Sequence, residues 1–287
     1  MKYGVPMTDH RWIGVHLFHN DDLDVVLRGP VKSLAASDAV RRWFFLRYWE
    51  GGRHIRFRML VADASAGAVR AEVARRARSF FKTVRSSSVL SADEYRRTAT
   101  VLAGQERLDS FLTRQLPVDT AQFIAYRPEH DKYGTGEPLA LVEHHFAESS
   151  AIALALIDKR ATRQRRQAAF VVLLAAAWLF GGAPNPAAPA MDGLDAAYVQ
   201  RHAELRRLVE KARTAVEGRG HDALLDRWLR SLAPLRDRHP AADRGLLDNC
   251  AHLLANRLGI DLVSEAGLRY LTSRAVADQR PIEETRT

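Results

Sequence analysis

Between His54 and Leu60 the chain reads HIRFRML, and this alternation of polar and apolar side chains suits a β-strand and no helix. It sends Ile55, Phe57 and Met59 to one face and His54, Arg56 and Arg58 to the other. One face is fit for a core, and the other carries stacked positive charge. The preceding Trp43–Trp49 (WFFLRYW) predicts a second strand, and Glu50-Gly51-Gly52-Arg53 between them supplies the glycines a hairpin wants. Trp12–Phe18 (WIGVHLF) predicts a strand as well, followed by the Asn20-Asp21-Asp22 cap of a helix running to about Leu27. A last strand, Thr120–Tyr126 (TAQFIAY), delivers the polar loop RPEHDKYG, Arg127 to Gly134.

Elsewhere the apolar spacing is helical. Val69, Val73, Ala77, Phe80, Phe81 and Val84 mark a helix from Ala68, and Ser91-Ala-Asp-Glu94 is a capping box opening another. Pro138 to Ala177 is helical apart from a basic break near Asp158–Arg166; Leu194–Val216, Leu224–Leu232 and Arg244–Leu258 follow as successive helices. Strands early and helices late give an α+β fold, with antiparallel sheet elements in the N-terminal half and a mainly helical C-terminal half. At 287 residues the chain is expected to form one domain over 1–287, or two tightly packed lobes, with a Pro/Ala-rich loop at 183–190. No internal repeat is present.

Composition narrows the function classes. A 47% hydrophobic content excludes disordered and fibrous chains. The single cysteine, Cys250, permits neither an internal disulfide nor a Cys-based zinc site, so a reducing, cytoplasmic home is expected. No signal-peptide stretch opens the sequence, and the longest apolar run, Ala168 to Gly182, is shorter than the roughly 18 residues of a membrane span. That run reads as a buried core helix, and no membrane is expected. The net charge of +9, mostly from arginine, favours an acidic partner. A nucleic-acid partner ranks last, because charge alone supports it and no aromatics interleave with Arg160–Arg166 (RATRQRR), which reads as a solvated basic face. Nucleotide-loop, zinc-hydrolase and serine-hydrolase motifs are lacking, and His144-His145 reads as a helix-surface pair.

Three constellations remain. Arg47, His54, Arg56 and Arg58 concentrate donors on one hairpin, as a clamp for carboxylate or amide oxygens or as a solvent-facing strand. The loop at Tyr126–Gly134 holds Glu129, Lys132 and Tyr133, either as catalytic groups or as a polar turn with a local ion pair. His252 and Asn256 stand one helical turn apart beside Arg257, as a reactive face or around a hydrogen-bonded structural histidine.

Taken in order, WFFLRYWEGGRHIRFR, YRPEHDKYG followed by a helix ending FAESS, and HLLANRL resemble the motifs of the lanthipeptide dehydratase C-terminal family, also called the thiopeptide-type bacteriocin biosynthesis domain. The resemblance runs from about Trp12 to Leu258. It implies an enzyme acting on a ribosomally made precursor peptide, with no metal or organic cofactor. One branch of the family eliminates glutamate from glutamylated Ser/Thr; the other joins two dehydroalanines into a pyridine by a formal aza-(4+2) cycloaddition. The resemblance places catalytic roles on Arg56, Arg58, Glu129, Lys132 and His252, and substrate contacts on Arg47, His54, Tyr133, Asn256 and Arg257. Arg56, Glu129 and His252 are then expected to converge on one cleft.

Lys132 stands where the eliminating branch has arginine, Gly-Thr-Gly replaces Gly-Gly, and WEGG replaces an Asp-containing turn. Lysine lacks the two-pronged grip of a guanidinium on a glutamyl carboxylate. A pyridine synthase is therefore the leading expectation. Its partners would be a modified precursor peptide with its leader and other enzymes of the pathway. A stand-alone glutamate-eliminating lyase is the alternative, and a non-catalytic peptide-binding scaffold is the alternative of another class.

Overall fold

The computed structural model describes residues 9–87, 90–106, 108–181, 193–239 and 244–279; the Pro/Ala-rich loop at 183–190 lies outside them. The chain divides into two compact units, Met1–Glu137 and Pro138–Thr287. The fold is α+β, with an antiparallel sheet in the first unit and helices throughout the second.

The first unit contains β1 (His10–Phe18), α1 (Leu23–Val26), α2 (Lys32–Ala35), β2 (Arg42–Tyr48), β3 (His54–Ala62), α3 (Ala66–Thr83), α4 (Ala92–Glu106), β4 (Thr120–Phe123) and α5 (His130–Tyr133). The strands form one sheet in the order β2-β3-β1-β4, antiparallel at every pairing. Asp22 caps α1 through a bond from the Asp24 N–H, but the helical turns continue past Leu27, through a kink at Gly29-Pro30, into α2. Pro30 has no N–H to donate, so the chain bends there and resumes. Ser91 and Glu94 exchange the reciprocal bonds of a capping box at the start of α4.

Alternation divides the sheet as the sequence demands. Ile13, Val15, Leu17, Ile55, Phe57 and Met59 are at most 2% exposed. Helix α3 lies on their side: Arg70 sits 4.2 Å from the ring centre of Phe123, the partner of Val15 across β1 and β4. Val69, Val73, Ala77 and Phe81 form the buried stripe of α3.

The second unit comprises α6 (Glu137–Asp158), α7 (Arg163–Phe180), α8 (Leu194–Val216), α9 (Ala223–Arg238), α10 (Arg244–Leu258) and α11 (Leu262–Ala277). Helix α7 packs against the four helices that follow it, and Phe170–Trp178 is buried without interruption. An apolar run too short for a bilayer thus fills a protein core; among the described residues no helix is long and apolar enough to cross a membrane. At the start of α7 the basic stretch is only partly solvated. Arg163 is exposed, whereas Arg166 is half-buried and donates to the carbonyls of Ala161 and Leu258.

Helix α11 has no clear signal in the sequence, because its buried side mixes Glu265, Thr272 and Ser273 with Leu268, Leu271 and Val276. Its N-cap is orthodox, with Asp261 accepting from the Ser264 N–H at 2.8 Å. His145 corrects another expectation. It is fully buried, packs against Trp228 with ring centres 4.9 Å apart, and bonds through Nδ1 to Ser231 Oγ at 3.0 Å. Burial and the neighbouring Arg257 cation push its pKa down to about 3.

Candidate active site

The charged face of β3 is assembled by register. β1 sets Gly14 opposite Arg58, His16 opposite Arg56 and Phe18 opposite His54, while β2 sets Phe44, Leu46 and Tyr48 opposite the same three. All these side chains share one face. This face is not a solvent-facing strand: His54 is fully buried, Arg58 is 8% exposed, and only Arg56 is substantially open, at 27%. Arg47 pairs with Ile55 and therefore projects from the opposite face, where its Nη2 donates to Asp24 Oδ1 at 2.6 Å. The period of two separates Arg47 from the other three and puts Tyr48 in its place.

Arg56 stacks on Tyr48, its guanidinium carbon 3.2 Å from the ring centre, with Nη2 3.5 Å from Glu50 Oε2. The Tyr48 hydroxyl donates to Glu106 at 3.1 Å, and burial pushes its pKa up to about 12. Deeper in the face, Arg58 Nη2 donates to His16 Nε2 at 3.3 Å, and its plane lies 5.7 Å from the centre of Tyr126. Burial, reinforced by Arg56, brings the Arg58 pKa down to about 10. His16 stacks on His54 at 4.6 Å, and His54 Nδ1 donates to the Gly52 carbonyl at 2.8 Å. Burial depresses His16 to about 2 and His54 to about 3, so both rings are neutral. His54 Nε2, Arg56 Nε and Arg58 Nη1 have no hydrogen-bond partner among the described residues. An acceptor and two donors are thus buried on one face without a partner among the described residues.

Gly14 shapes this face. A Cβ there would lie 2.1 Å from the Ile124 carbonyl oxygen, so only glycine lets the chain leaving β4 cross so closely. That crossing brings Tyr126 edge-on to Trp12 and Phe44, with ring centres 5.7 and 5.5 Å away.

Beyond Tyr126 the polar loop contains the single turn α5. Lys132 Nζ lies 3.8 Å from Glu129 Oε2, with both side chains exposed, while Tyr133 is buried. No hydrogen bond or ion pair among the described residues joins Glu129 or Lys132 to Arg56 or Arg58.

In the second unit His252 Nδ1 lies 2.8 Å from Glu265 Oε2, and Glu265 Oε1 accepts from Arg269 Nε at 2.8 Å. Asn256, one turn from His252, is half-buried. Arg257 is fully buried and turns inward, donating to Ser150 Oγ at 3.0 Å and Ser149 Oγ at 3.3 Å. The Ala-Asn-Arg and Glu-Ser-Ser motifs are therefore bonded to each other, and the guanidinium expected to touch substrate holds α10 to α6. Among the described residues no three His, Cys, Asp or Glu side chains gather as metal ligands.

A family model described as lantibiotic biosynthesis dehydratase C-term matches residues 12–276. The chain belongs to this dehydratase C-terminal family. Among solved structures it is similar in fold to the pyridine synthase TbtD from thiomuracin biosynthesis, with a TM-score of 0.76 at 19% identity over 94% of this chain and 98% of that one. It is also similar to the tRNA-dependent lantibiotic dehydratase MibB from Microbispora sp. 107891, with a TM-score of 0.60 and 18% identity over 96% of this chain but only 29% of that one. TsrL follows at a TM-score of 0.53 and 17% identity, covering 94% and 95% of the two chains. No curated protein matches the chain.

Sequence reasoning missed two partners of the β3 side chains in the first unit and one partner of His252 in the second. His16 is the inward-turned polar residue of WIGVHLF, and its alternation with Val15 and Leu17 was the available signal. Tyr48 follows from the same alternation in β2. Glu265 had no comparable cue, since the helix carrying it shows no apolar stripe.

Proposed function

We propose that this chain closes the central six-membered nitrogen ring of a thiopeptide from two dehydroalanines of one precursor peptide. The observation that carries this reading is Arg58, a buried guanidinium that bonds a neutral imidazole and has an N–H to spare. Such a group suits a carbonyl oxygen that gains charge as its amide tautomerises. The fold likeness to a pyridine synthase over nearly the full length of both chains supports it, as does a lysine at the loop position where eliminating relatives have arginine.

In this reaction an amide first moves its proton from nitrogen to oxygen, giving an azadiene. Two carbon–carbon bonds then form with the second alkene; loss of water and of the leader peptide as an amide leaves the aromatic ring. Each stage moves a proton. His252, oriented through Nδ1 by Glu265, is one acid/base group, and Glu129 is the second. Arg56, Arg58 and Lys132 anchor oxygens of the peptide, and His54 shares the β3 face that carries the two arginines. Positioning two alkenes of one chain supplies much of the acceleration.

Mass spectrometry of two incubations tests this reading. A precursor carrying azoles and dehydroalanines should yield a pyridine macrocycle and a leader amide, whereas a glutamylated precursor should remain unchanged. Loss of glutamate from the second without ring formation in the first would transfer the assignment to the lyase branch. No change in either would leave the peptide-binding scaffold.

A further inference from the structure

Arg56 and Arg58 are neighbours on one face of β3, yet they meet different charges. Nη2 of Arg56 lies 3.5 Å from Glu50 Oε2, and the other oxygen of that carboxylate accepts from the Leu112 N–H at 3.2 Å. Glu50 is thus tethered to the backbone of a segment distant in sequence as well as to the guanidinium. Below the stacked Tyr48 ring, Glu106 accepts the phenol hydrogen at 3.1 Å and adds a second negative charge to the field at Arg56. Arg58 pairs with no carboxylate among the described residues; its nearest polar partner is the neutral His16.

We infer that Glu50 is a built-in counter-ion that keeps Arg56 from carboxylate ligands. Glu50 then selects against glutamylated peptides and for neutral amides, an assignment that rests on the ring-forming reading for its substrate. A glutamyl carboxylate arriving at the partly open Arg56 meets two resident carboxylates, and like charges crowded in a half-buried site repel. Glu50 acts through Arg56 and is a positioning residue.

Isothermal titration of the full chain with L-glutamate, with glutaramide as the uncharged control, tests the assignment. Glu50→Gln removes the charge and keeps an oxygen for the Leu112 N–H, so it should bind glutamate about tenfold or more tightly than wild type. Glutaramide affinity should not change, and adding Arg56→Met should abolish the gain. Glu50→Ala should show the same gain if the glutamine variant folds poorly, with circular dichroism reporting the fold. Equal glutamate affinity in wild type and both variants, or no glutamate binding by either variant, overturns the inference. Binding is read without turnover, so a wild type that forms no pyridine leaves this result standing. A wild type that forms pyridine while neither variant gains glutamate removes the counter-ion role alone.

Discussion

His252 presents Nδ1 to Oε2 of Glu265 at 2.8 Å, and the carboxylate is 6% exposed while the imidazole side chain is 42% exposed. A carboxylate only accepts, so a ring proton sits on Nδ1 and Nε2 is the nitrogen that Glu265 leaves unengaged. Arg269 holds the other carboxylate oxygen, which leaves Glu265 little freedom to turn. An imidazole oriented by a buried carboxylate is an arrangement that nucleophilic and general-base sites share on unrelated folds.

Replacing Glu265 by Gln should therefore lower kcat for ring formation by about 10–100-fold while KM stays within about threefold. Steady-state kinetics on the modified precursor measures both. A kcat equal to wild type would show that His252 needs no orienting partner.

Arg257 is expected to govern folding rather than turnover. Arg257→Ala removes a fully buried side chain and its bonds to the Ser149 and Ser150 hydroxyls, at a cost of about 3 kcal/mol or more. Urea unfolding followed by circular dichroism reads the loss. A variant of wild-type stability with lost turnover would return Arg257 to the substrate-contact role.

Stability should fall as pH drops from about 7 to 5. His16, His54 and His145 have folded pKa values near 2, 3 and 3, below the ordinary 6.5, so the unfolded chain binds protons that the folded chain refuses. Their contribution is complete above about 6.5 and declines toward 3, with a limiting slope of about 1.4 kcal/mol per pH unit for each imidazole. Denaturant midpoints at pH 7, 6 and 5 measure it, and a flat profile would contradict the burial of these rings.

Gly14→Ala tests the crossing that covers the charged face. With a Cβ 2.1 Å from the Ile124 oxygen the chain must shift, and a loss of about 1–3 kcal/mol is expected. Tyr126 would move away from Arg58 in the same variant, visible as altered near-ultraviolet dichroism with unchanged far-ultraviolet signal. Wild-type stability would show that the crossing tolerates a side chain.

What the sequence determined by itself is local and periodic. The alternation of HIRFRML set the strand and its two faces, the helical spacing set α8 and α10 to their observed limits, and Ser91 with Glu94 announced a helix start. The order of three motifs along the chain carried the family resemblance. Tertiary structure decided which groups meet. Arg47 left the cluster because hairpin register sets it opposite Ile55, and His16 entered because β1 lies beside β3. Arg257 turned inward to serines on α6, and Glu265 reached His252 from a helix with no apolar stripe. Periodicity constrains residues a few positions apart, whereas these contacts depend on strand register and helix packing between distant segments, which local spacing does not encode.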